Sequence, residues 1–287
     1  MWVSLLNTSI TLLGLPRSKQ EPNATSNAVA SAAARRSLAP AVARAVRILA
    51  LLEGAPQHRF GLGEIARRLN IPKSTALNIC GELLDGQLLR KSQEGYQLGR
   101  RLVQLGSAYV SSVDLVREFY DVCRSAPVDL NAMIQLSVLD EAMNAVFLAR
   151  QDCNSGLRLG LRAEIGRRVP ANCTGSGKAL LAGLVADDLE ARLAGVRTLP
   201  TMTERSVADP VELRRQLDEI RKQGYAMEQE ETLAGVWCVA RSIRTGHRED
   251  GLLAVSVTAR KEARSPARVD HVLAALFQIT QQLQRQL

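Results

Sequence analysis

The stretch from Gly61 to Gly99 limits what this chain can become more than any other part of it. In 62–69 the apolar residues Leu62, Ile65, Ala66 and Leu69 recur at spacings of three and four, which predicts a helix with one apolar face. Asn70 tolerates a positive φ, and Pro72 cannot continue a helix but suits the first turn of the next one. In 73–85 a second apolar face follows, made of Ala76, Ile79, Cys80, Leu83 and Leu84. The runs Leu88–Lys91 and Tyr96–Leu98 then flank Ser92-Gln93-Glu94-Gly95, a turn containing glycine, which predicts a hairpin. Helix, tight turn, helix and hairpin together describe a winged helix-turn-helix.

The side chains left over on the second helix carry the chemistry. Opposite its apolar face stand Lys73, Ser74, Thr75, Leu77, Asn78 and Gly81. Asn can form a bidentate contact with adenine, Ser and Thr meet several base edges, and Leu can touch a thymine methyl. Arg90 and Lys91 on the hairpin, and Arg44 and Arg47 on a preceding helix, are candidate phosphate contacts. Residues 41–112 hold ten Lys and Arg against five Asp and Glu, a net +5 within a chain of net charge +8. Solvated helix faces explain some of this charge. Its concentration on a helix-turn-helix pattern favours double-stranded DNA as partner.

Residues 1–16 are apolar but lack a basic leader and are too short to span a bilayer, and 17–38 are rich in Ser, Ala, Asn and Arg. The segment 1–38 is therefore expected to be a disordered tail. Residues 40–53 form an opening helix that ends near Gly54 and Pro56. Helices at 99–112 and 113–126 come next. Then the period changes to short β-like runs at 132–139 and 142–149, with a third strand expected at 156–161. Helices at about 175–186, 187–194 and 209–223 precede strands at 225–231, 236–243 and 252–258 and a closing amphipathic helix at 267–284. The expected class is α+β: 1–38 a tail, 39–100 the winged helix-turn-helix domain, 101–112 a partly apolar helix between the domains, and 113–287 an antiparallel-sheet domain.

Two features bear on small-molecule chemistry. NCTGSGKAL, 172–180, resembles a phosphate-binding loop but lacks its first Gly (Asn172) and its Ser or Thr (Ala179), so nucleotide hydrolysis is not expected. Its turn still offers the N–H groups of Gly175, Ser176 and Gly177 at a helix start, which suits a carboxylate. The competing reading is a helix capped by Thr174 with glycines fitted for packing. The five cysteines have no paired spacing, which fits a reduced cytoplasmic protein without a structural metal. A catalytic reading could use only Cys238 and His247 on one hairpin, and no cofactor is implied.

Arg44-Ala45-Val46-Arg47-Ile48-Leu49, Glu64-Ile65-Ala66, Pro72-Lys73-Ser74-Thr75, Tyr96-Gln97-Leu98-Gly99 and Gly175-Ser176-Gly177-Lys178-Ala179-Leu180 resemble the isocitrate-lyase-regulator (IclR) family of bacterial transcription factors. The resemblance spans roughly 38–287. It implies a GAF-like sensor domain, 101–112 as a linker and dimerisation helix where packing within its own chain is the alternative, a homodimer or homotetramer, and a small organic-acid effector held at the Gly175–Ser176 turn. Cys238, Ser256 and Glu228 match cavity positions of that family. Thr258 shares the strand face of Ser256, and Met143, Leu157 and Leu159 are candidates for an apolar wall. A neighbouring Glu228 opposes an anionic effector unless it donates a proton, accepts a ligand hydroxyl or points away. The resemblance implies a regulator, most often a repressor. The alternatives are an enzyme with an accessory basic domain and an interaction module that binds no DNA.

Overall fold

Asn70 takes the left-handed conformation, φ 51°, and this single residue ends one helix and aims the next. The computed structural model describes residues 38–112, 114–124, 130–154, 165–245 and 251–286. The chain divides into two compact units, one up to Leu83 with Lys91–Leu98 and the other made of Leu84–Arg90 and Gly99 onward.

The first unit holds α1 (Pro40–Glu53), α2 (Leu62–Leu69), α3 (Lys73–Asp85) as far as Leu83, and, of the hairpin β1 (Leu89–Ser92) and β2 (Gly95–Leu98), the residues from Lys91 on. Pro40 opens α1, and its fixed φ suits that position. Ile65, Ala66, Leu69, Ala76, Ile79, Cys80 and Leu83 are buried as the spacing in α2 and α3 predicted; in α1 the face expected from Val42, Ala45, Val46, Leu49 and Leu52 is displaced, with Ile48 and Leu52 buried and Val42 and Val46 exposed. Burying each large apolar side chain stabilises the fold by about 1.5–3 kcal/mol. Phe60 extends the wing by exchanging backbone hydrogen bonds with Tyr96, at 3.1 and 2.9 Å. Arg47 donates to the Leu69 carbonyl at 2.9 Å and so ties α1 to the end of α2.

After α4 (Arg101–Ser112) and α5 (Asp114–Arg124), the second unit is built on six antiparallel strands. These are β3 (Ala132–Leu139), β4 (Asn144–Cys153), β5 (Arg168–Pro170), β6 (Ala226–Gln229), β7 (Val236–Arg244) and β8 (Leu252–Arg260), in the order β5-β4-β3-β8-β7-β6. The helices are α6 (Gly175–Gly183), α7 (Ala186–Leu193), α8 (Pro210–Gln223) and α9 (Pro266–Gln286). β3 and β8 are covered on both faces, so they are buried along most of their length, with Gln135 and Ser137 on β3 and Ser256 and Thr258 on β8 as buried polar residues among the apolar ones. On one face Ile134, Val239, Val255 and Val257 meet Phe119 of α5 and Leu276 of α9. On the other, Ala240 and Ala254 meet Leu180 of α6 and Leu213 of α8. Small residues there let α6 lie close to the sheet.

The expected α+β class holds, with two local differences in the sheet. β4 begins at Asn144, two residues later than expected, because Met143 adopts φ 58° in the turn before it. β5 was not foreseen; three residues ending in Pro170 are too few to show a period. The strand expected at 156–161, most of the tail at 1–38, Leu157, Leu159 and His247 lie outside the described residues.

Candidate functional site

The second face of the sheet carries a row of polar side chains where an apolar surface would be expected. Directly opposed residues of an antiparallel pair share a face. Glu228 opposes Cys238 across β6 and β7, Cys238 opposes Thr258 across β7 and β8, and Thr258 opposes Met133 across β8 and β3. The next row on the same face runs Ala226, Ala240, Ser256 and Gln135. Glu228, Cys238, Ser256, Thr258 and Gln135 are all buried. Four of these five were predicted site residues, and the fold brings those four together.

The start of α6 packs onto these rows. A Cβ placed on Gly175 would lie 3.1 Å from the Cys238 sulfur and 3.6 Å from the Ala240 Cβ. The first N–H groups of a helix have no acceptor one turn back. Thr174 does not cap them. Its hydroxyl lies 3.2 Å from that of Ser176 instead. The capping alternative therefore fails for Thr174, while its companion idea, glycines fitted for packing, describes Gly175 and Gly177 well. Ser176 is fully buried at the same turn. The turn is fixed by Asn172, whose amide donates to the carbonyls of Pro200 and Val207 at 2.7 and 2.8 Å.

Burial pushes the Glu228 carboxyl up to about 8, so it carries its proton at neutral pH. Its Oε2 accepts the Glu231 N–H at 2.9 Å, and its Oε1 lies 3.5 Å from the Thr232 hydroxyl. That hydroxyl has one proton, and it points 2.6 Å to the Cys173 carbonyl. A neutral Glu228 removes the repulsion expected beside an anionic ligand. Burial likewise pushes the Cys238 thiol up to about 12, against the counter-effect of the Thr258 and Ser256 hydroxyls. A thiol held neutral in this way is a poor nucleophile.

Met143 joins this face from a different direction. It stands in the β3–β4 turn, half-buried against the Ala145, Ala171 and Leu180 cluster, and its carbonyl accepts the Ala171 N–H at 2.9 Å. Two residues escaped the sequence reading. Gln135 sits inside an apolar run and gave no signal. Lys178, the apparent loop lysine, is 1% exposed. Its ammonium contacts both Glu231 carboxylate oxygens, at 2.7 and 2.5 Å, and donates to Gln216 Oε1 at 2.8 Å. It supports the turn from behind and is not turned toward a phosphate.

In the first unit, Lys73, Ser74, Leu77 and Asn78 are exposed on α3, with Leu77 at 51%, and Thr75 is half-buried. Arg90 and Lys91 are exposed on the wing, where the Lys91 ammonium lies 5.5 Å from the Tyr96 ring centre. Arg44 and Arg47 are half-buried, and Arg47 already holds the Leu69 carbonyl. Among the described residues, no group of three or more His, Cys, Asp and Glu side chains could hold a metal ion, and no helix is long and apolar enough to cross a membrane.

Residues 41–93 match the IclR helix-turn-helix domain, and residues 107–285 match the C-terminal domain of the bacterial transcriptional regulator IclR. The transcriptional repressor IclR of Escherichia coli K12 is 28% identical over 235 residues, covering 77% of this chain and 85% of its own. The repressor AllR of Klebsiella pneumoniae is 30% identical over 209 residues, covering 71% and 74%. The crystal structure of an IclR transcriptional regulator from Silicibacter superposes with a TM-score of 0.72 at 22% identity, covering 86% of this chain and 95% of its own. An IclR homologue from Microbacterium hydrocarbonoxydans, crystallised with 4-hydroxybenzoate, gives 0.65 at 25% identity, covering 85% and 99%. The relatives are regulators and not enzymes, so the reading as an enzyme with an accessory basic domain falls. The chain belongs to the IclR family of bacterial transcriptional regulators, with a DNA-binding helix-turn-helix domain and a C-terminal effector domain.

Proposed function

We propose that this chain is a cytoplasmic repressor, active as a homodimer or homotetramer, that leaves its operator when a small organic acid binds its C-terminal domain. The domain division proposed is 39–100 for DNA binding, 101–112 for the linker helix and 113–287 for a GAF-like sensor. Lys73, Ser74, Thr75, Leu77 and Asn78 meet base edges from α3, while Arg44, Arg47, Arg90 and Lys91 meet phosphates. Two copies present two recognition helices to a pseudo-palindrome.

The observation that carries the sensor reading is the Glu228, Cys238 and Thr258 row, buried beneath the start of α6. The effector carboxylate lies at Gly175 and Ser176, where N–H groups and the helix dipole favour negative charge. Glu228, Cys238, Ser256 and Thr258 offer hydrogen-bonding groups to the rest of the ligand, and Met143 lends apolar surface. The 4-hydroxybenzoate held by the Microbacterium homologue supports a carboxylate ligand.

The test is fluorescence anisotropy of the protein on a genomic site that it selects, titrated with a panel of small carboxylic acids and their neutral amides. At least one acid should release the DNA, and its amide should not. Undiminished DNA binding with every acid at millimolar concentration would reject the organic-acid effector.

A further inference from the structure

Gln135 is 4% exposed, and its side-chain Nε2 has no hydrogen-bond partner. It stands on β3 directly opposite Ser256, on the sheet face that carries Cys238 and Thr258. Ser137, the next residue on that face, is satisfied within the sheet by donating to the Ala254 carbonyl at 3.4 Å. Gln135 has no such outlet. Burying an amide donor without an acceptor costs stability, so native chains rarely keep one unless something else offsets it.

We propose that Gln135 Nε2 donates to a second oxygen on the effector, and that this oxygen lies at the end of the ligand away from its carboxylate. The inference rests on the carboxylate reading above and adds a specificity residue to it. The geometry is that of the sheet. The start of α6 packs on Cys238 and Ala240 of β7, while Gln135 lies on β3 with β8 between them. Two strand spacings separate the anchors, roughly 10 Å. A ligand that meets both carries oxygen at both ends, as an ω-hydroxy acid or a para-hydroxylated aromatic acid does. An acid with a single polar end leaves Nε2 unpaired.

The test uses calorimetry on the full-length protein with matched acids, benzoate against 4-hydroxybenzoate and pentanoate against 5-hydroxypentanoate. Wild type should prefer the hydroxylated member of at least one pair by about tenfold or more, since a site built around a donor rejects the analogue that leaves it unpaired. Gln135→Leu should shrink that preference to within about twofold while binding the plain acid as wild type does. Without ligand it should melt no lower than wild type, because it removes an unpaired buried group. Gln135→Met serves in its place if the leucine variant does not fold. A preference that survives the substitution, equal binding of both members by wild type, or a clear drop in the unliganded melting temperature overturns the role of Gln135 and leaves the carboxylate reading intact. Failure of wild type to bind any of the four acids at millimolar concentration overturns both.

Discussion

A methyl group on Gly177 would fall 2.3 Å from the Cα of Ala171, so these two residues meet with only a hydrogen between them. The contact fixes the turn that precedes α6 against the helix itself, and the obstacle is backbone, which cannot swing aside. Gly177→Ala should cost about 2 kcal/mol or more in urea unfolding. Gly81 is the control, because nothing lies within 4 Å of a Cβ there. Gly81→Ala in the interior of α3 should raise stability by about 0.5–1 kcal/mol. Equal effects at the two positions would show that Ala171 does not set the cost.

Lys178 and Glu231 are 53 residues apart and form a buried pair. Burial pushes the Glu231 carboxyl up even with the ammonium against it. Removing one partner strands the other charge. Lys178→Met should therefore destabilise the protein by about 3 kcal/mol or more, and Lys178→Met with Glu231→Leu by distinctly less. A double-mutant cycle by chemical denaturation measures this. Additive losses would mean that the pair is not coupled.

Glu228 makes stability depend on pH in a definite direction. Its ordinary value is 4.5 and its folded value is about 8. Between these the folded chain keeps a proton that the unfolded chain releases, so stability from this group is full below 4.5, declines above it, and is lost as pH rises through 8. Glu228→Gln stays neutral throughout. Its melting temperature relative to wild type should rise from pH 5 to pH 9; a difference that stays constant would place the carboxyl in contact with water.

How much of this was legible in the sequence differs between the two units. α1, α2 and α3 are marked at their ends by Gly54, Asn70 and Pro72, whose backbone constraints act locally, and the structure begins and ends those helices there. In the sheet, Cys238, Ser256 and Glu228 were found only through the family resemblance, because a buried row of polar groups has no local signature. Register decides which residues share a face, and register is a property of pairing between distant strands. Gln135 and Lys178 were invisible for the same reason. One sits in an apolar run, and the other looks like a loop lysine until Glu231 arrives.

On α3, Lys73 and Asn78 are exposed and hold no part of the core. Lys73→Ala with Asn78→Ala should abolish specific DNA binding and leave the circular dichroism spectrum and melting temperature within error of wild type. Lys91→Ala should instead weaken binding to all sequences and reduce the slope of log K against log salt by about 0.9. Anisotropy titrations at several salt concentrations separate the two effects. A salt slope unchanged by Lys91→Ala would remove it from the phosphate contacts.

Reading of a specific DNA site through α3 is the property on which the proposed function turns. The most direct test is selection of genomic fragments by the purified protein at near-physiological salt with competitor DNA, run beside the Lys73→Ala, Asn78→Ala variant. Wild type should recover a discrete pseudo-palindromic site that the variant loses. Recovery of only weak, sequence-independent and salt-sensitive binding, equal in both proteins, would contradict it.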